Sequence, residues 1–83
     1  MVKNFELVKL MAITGMKNKE LAKIIGVSQQ AASKKIKGET EFKQSEMKLI
    51  TGYFKKLQSE DKQMFKNYPL VTMDLIFYEG IND

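Results

Sequence analysis

Cysteine and histidine are both absent from the 83 residues. Without cysteine there are no disulfides, no thiolate chemistry and few ways to build a structural zinc site. Without histidine the chain lacks the commonest metal ligand and the usual general base near neutral pH. Little is left from which to build an enzyme, and so short a domain does not easily wall off a buried active site. No enzyme activity, cofactor or metal is therefore expected. No apolar run approaches the roughly 20 residues of a membrane span, and Met1-Val2-Lys3 does not begin a secretion signal. A cytoplasmic protein with no membrane partner is the expectation. No repeat, low-complexity stretch or linker interrupts the chain, so residues 1–83 read as a single domain.

Arginine is also missing, and the positive charge, all lysine, is unevenly spread. Residues 1–57 hold 12 Lys against 5 acids, a balance of +7, whereas residues 58–83 hold 2 Lys against 5 acids, a balance of −3. A surface that neutralises phosphates has such an asymmetry. A lysine-rich face is also the ordinary outcome of solvation, so charge alone does not assign a partner.

The residues that organise the rest are Asn18 to Lys37, NKELAKIIGVSQQAASKKIK. Leu21, Ala22 and Ile25 recur at three- and four-residue spacing and give a first short helix an apolar face. Gly26 ends it, because glycine enters the left-handed region without a Cβ clash. Val27 plugs the turn, and Ser28 is placed to cap a second helix. In that helix Ala32 and Ile36 face inward, while Gln29, Gln30, Ser33, Lys34 and Lys37 fall mostly on the other side. Small Ala22 and Ala32 let the two helices cross closely. Two helices joined by so short a glycine-containing turn are a helix-turn-helix.

The run of Ala22, Gly26, Val27, Ser28, Gln29, Gln30, Ala32 and Ile36 resembles the lambdoid repressor and Cro group, the XRE-type helix-turn-helix family. With flanking helices the resemblance covers about Phe5 to Leu57 and weakens beyond. It implies an all-α, repressor-like domain of four to five helices with its motif at residues 18–37. It further implies a small phage or prophage regulator, binding operator DNA through a recognition helix. The absence of a longer C-terminal region suits a Cro-like role. The sequence departs from the pattern at Lys17, where relatives carry a Ser or Thr cap; Glu20 would complete a capping box with such a residue. Asn18 is the expected substitute cap, starting the helix one residue late, or else a phosphate contact as in the family.

Geometry assigns the same roles to the exposed face. A helix laid by its amino end into the major groove presents its first turns to base edges. The amides of Gln29 and Gln30 match adenine N6 and N7, and Lys34 reaches guanine O6 and N7 or a phosphate. Ser33 is short and adaptable, and Ser28 and Asn18 would hold the sugar-phosphate backbone. Lys35 and Lys37 at the helix end, with Lys43 and Gln44 ahead of the next helix, would flank them. An ordinary helical hairpin leaves the Gln-Gln-x-x-x-Lys face unexplained.

Around the motif, Phe5, Leu7, Val8, Leu10 and Met11 describe an amphipathic first helix over about residues 3–13. Phe42 reads as a plug under a polar loop. A fourth helix over about 44–57 would bury Met47, Ile50, Phe54 and Leu57 beside Tyr53, with Gly52 marking a close helix approach. Ser59-Glu60-Asp61 looks like the start of a short helix through Phe65 to Asn67. Leu70 to Tyr78 is the most apolar stretch. Thr72 would cap a final helix of residues 73–78; the alternative is a strand, given its β-formers. Residues 80–83 read as a frayed tail. One recognition helix reads too few base pairs to find an operator, so a homodimer is expected, with half-sites about 34–36 Å apart or a multiple of that. Its segment would be residues 58–79, through Leu70, Val71, Leu75, Ile76, Phe77 and Tyr78; the opposing arrangement turns the last helix inward. The competing function is a protein-interaction module, such as an antitoxin or host-takeover protein, supported by that same apolar segment. No small-molecule ligand is evident.

Overall fold

The computed structural model describes residues 4–78, and over these the chain is all-α. Four α-helices follow one another: α1 (Phe5–Thr14), α2 (Asn18–Ile25), α3 (Gln29–Lys37) and α4 (Gln44–Glu60). A single π-type turn, α5 (Asp74–Tyr78), completes the order. The residue expected to start α1 and the tail at 80–83 lie outside the described residues, as does the last residue of the 58–79 segment.

The helix starts and stops follow from local chemistry. Gly26 sits at φ 74°, and beyond it the Val27 amide reaches back to the Ala22 carbonyl at 3.0 Å, the longer bond of a Schellman closure. Gly38, at φ 86°, ends α3 in the same way, with the Glu39 amide 2.9 Å from the Lys34 carbonyl. At its start, Ser28 Oγ accepts from the Ala31 amide at 3.1 Å. Two lysines stand where caps are usual, since α2 and α4 are preceded by Lys17 and Lys43. A lysine side chain has no acceptor, so only the returning half of each capping box forms. Glu20 Oε1 accepts from the Lys17 amide at 3.0 Å and Glu46 Oε1 from the Lys43 amide at 2.8 Å. The return bond from Glu20 is enough: α2 begins at Asn18, not one residue late, and Asn18 is not its cap.

The core gathers Leu7, Leu10, Met11, Met16, Leu21, Ile25, Phe42, Ile50, Phe54, Phe65, Val71 and Ile76. α2 packs on both α3 and α4, and α1 packs on α5. Ala22 and Ala32, both buried, permit the close α2–α3 crossing. On α1 the buried stripe is Leu7, Leu10 and Met11, three and four residues apart. Phe5 and Val8 fall outside that stripe and are 57% and 41% exposed, which corrects their assignment to the inner face. Phe42 is the expected plug, its ring edge-on to Phe77 at 5.5 Å between centroids.

Beyond residue 57 the structure departs from expectation. α4 continues through Ser59 and Glu60, using the residues thought to begin a new helix. Residues 62–67 form turns instead, opened by Asp61 Oδ1 accepting from the Met64 amide at 3.1 Å, and Phe65 is the buried anchor of this stretch. The last segment is helical, not extended. Thr72 Oγ1 accepts from the Leu75 amide at 3.1 Å, as a cap should. Gly52 marks no close approach: it is exposed, and among the described residues nothing lies within 4 Å of where a Cβ would stand.

Candidate nucleic-acid interface

α3 buries Ala32 and half-buries Ile36 against the rest of the domain, while Gln29, Gln30, Lys34 and Lys37 are exposed. Gln30, Lys34 and Lys37 recur at i, i+4 and i+7, so one polar stripe runs the length of the helix. Ser33 lies beside it, half-buried. Asn18 Nδ2 donates to Ser33 Oγ at 2.8 Å, tying the start of α2 to the middle of α3. In the first turn of α2 the Glu20 and Leu21 amides donate to the Lys17 carbonyl at 2.9 and 3.1 Å. Ser28 is exposed, and capping uses only its acceptor side, so its O–H is left to donate. Lys43 and Gln44, also exposed, stand at the start of α4.

Lys35 is the site residue whose assignment changes. It is buried rather than facing outward with Lys34 and Lys37. Its Nζ donates to the Glu41 carbonyl at 3.0 Å and pairs with Glu46 Oε1 at 3.0 Å, above the Phe42 ring at 5.9 Å. Position 35 lies three residues from buried Ala32, so the helical period carries it to the packed side. A phosphate cannot reach it there. Burial pushes the Glu46 carboxyl up, but the Lys43 amide and the hydrogen bond and charge of Lys35 more than offset this. The group is left below the ordinary glutamate range.

Two residues of this neighbourhood were not singled out from the sequence. One is Glu46, whose only signal was its place three residues after Lys43. The other is Asn4, which has φ 58° and whose Nδ2 donates to the carbonyls of Lys35 at 2.9 Å and Ile36 at 3.2 Å. It serves as a cap for the carboxyl end of α3 from 31 residues away, and no sequence pattern encodes that contact.

The expected dimerisation residues divide. Val71 and Ile76 are core residues, 0% and 4% exposed, and are corrected out of any surface patch. Phe77 packs on Phe42, and the Tyr78 hydroxyl donates to Met47 Sδ at 3.3 Å. Leu70 is 75% exposed, and Leu75 is half-buried. The apolar segment thus closes one chain's own core, because α1 packs on α5 and needs that apolar cover.

Among the described residues no acidic cluster is placed to hold a metal ion, and no helix is long and apolar enough to cross a membrane. No protein-family model, curated protein or solved structure matches the chain.

Proposed function

We propose that the chain is a sequence-specific DNA-binding regulator of the Cro or repressor kind, acting by occupying an operator. The observation that carries this reading is the polar stripe of α3. Gln29, Gln30, Lys34 and Lys37 are all exposed on a helix whose opposite face is locked into the core. Outward amides at a helix start suit bidentate readout of adenine, and Lys34 suits guanine. Lys37 ends that stripe, and Ser28, Asn18, Lys43 and Gln44 would add donors for phosphate beside it. Two copies across a two-fold axis supply the length of readout that one helix lacks. Leu70 and Leu75 are the residues of the C-terminal segment left for that contact.

Selection of bound sites from random double-stranded DNA tests the reading. The expected result is a two-fold symmetric consensus with affinity that falls steeply with salt. Recovery of no preferred sequence would refute it.

A second reading, a protein-interaction module, draws on exposed apolar side chains. Phe5, Val8, Leu49, Tyr53 and Leu70 are between 39% and 75% exposed. Tight binding to a protein with no affinity for DNA would favour it.

A further inference from the structure

Lys35 and Glu46 form an ion pair that the DNA-reading face does not use. Their side chains are only 11% and 7% exposed. A pair so far withdrawn from solvent costs desolvation, and burial of this kind is better matched to fixing one arrangement than to adding stability. Its place in the fold shows which arrangement. Lys35 belongs to the last turn of α3, and Glu46 to the first turn of α4. Glu46 Oε1 also accepts from the Lys43 amide. One short chain of contacts therefore runs from the base-reading helix through Lys35 and Glu46 to the backbone of Lys43, the flanking phosphate donor that Gln44 follows. Asn4 secures the same helix end from the other side, through the carbonyls of Lys35 and Ile36.

We infer that Lys35, Glu46 and Asn4 are positioning residues, which set the angle of α3 against the amino end of α4. Base edges and phosphates are then met together only in the correct register. This rests on the DNA-binding reading above and deepens it. Base contacts need closer geometry than phosphate contacts, because bidentate bonds fail when a side chain is displaced or turned. Loosening the pair therefore costs discrimination between sequences more than it costs affinity for DNA in general. The salt slope stays as it was, because neither member of the pair touches a phosphate.

The test compares wild type with Lys35→Met/Glu46→Leu, which replaces the pair by apolar side chains of similar length, and with Lys35→Arg, which keeps the charge. Each is measured on the consensus from random-site selection and on random DNA, over a range of salt, well below its unfolding temperature. For the double variant the expected result is a ratio of specific to random affinity lowered about tenfold at unchanged salt slope. Lys35→Arg should retain most of the ratio. A double variant with an intact ratio would overturn the inference alone. So would a slope about one unit shallower, which would return Lys35 to a phosphate. Wild-type protein that selects no sequence would overturn the DNA-binding reading and this inference with it.

Discussion

At the amino end of α3, Gln29 and Gln30 stand exposed, and the hydroxyl that caps the helix is exposed too. At its carboxyl end, Lys35 is bonded to Glu41 and Glu46, and the carbonyls of Lys35 and Ile36 are held by Asn4. Lys34 and Lys35 are adjacent and chemically identical, yet one is exposed and the other buried. A helix turns about 100° per residue, so neighbours meet different surroundings. The carboxyl end is held by side chains at the starts of α1 and α4, while the glutamine side chains at the amino end face outward.

The sharpest way to break this contrast is to truncate each lysine in turn. Lys35→Ala leaves Glu46 buried without its partner and is expected to cost about 3 kcal/mol of stability. Lys34→Ala should stay within about 0.5 kcal/mol. Chemical denaturation measures both, and equal losses would abolish the distinction. The same pair has a pH signature. The folded-state pKa of Glu46 is lowered, so its contribution to stability is complete above the ordinary glutamate range. It is lost as pH falls through the lowered value. The stability gap between wild type and Glu46→Gln should therefore close on acidification; a gap that widens would contradict the assignment.

At the free end the expected effect is on binding. Gln30→Ala should cost about 1–3 kcal/mol on the preferred site and almost nothing on random DNA. Equal losses on both would show that Gln30 does not read bases.

Gly52 sharpens the contrast from α4, where it is exposed and unopposed. Gly52→Ala should stabilise the fold by about 1 kcal/mol through lower backbone entropy in the unfolded chain, leaving DNA selectivity alone. A loss of stability in thermal melts would mean that the space beside Gly52 is needed.

The smallest effect is assigned to Lys37. Lys37→Ala should weaken binding to all sequences alike and make the salt slope shallower by about one unit for each phosphate it ceases to neutralise. An unchanged slope would place Lys37 in solvent.

How far the chain could be read from its sequence depends on the range of each interaction. The turn at Gly26, the cap at Ser28 and the apolar faces of α2 and α3 are set by residues within one or two helical turns. They stand where the sequence places them. The cap at Thr72 was legible for the same reason. By contrast, Phe5 and Val8 were misplaced because apolar type says nothing of which way a helix is turned until its neighbours are known.

The sequence by itself determined a helical domain built round a helix-turn-helix, with only its C-terminal segment open between helix and strand, since glycine conformations, caps and helical periodicity are local properties. Only the tertiary structure decided the fates of Lys35, Asn4, Val71 and Ile76. Lys35 became an internal tie because α4 brings Glu46 to within 3.0 Å of it. Asn4 became a helix cap because α1 starts beside the end of α3. Val71 and Ile76 became core residues rather than surface, because four short helices leave an apolar face that the C-terminal turn covers. In each case the partner lies on a different element, and residue type alone carries no record of it.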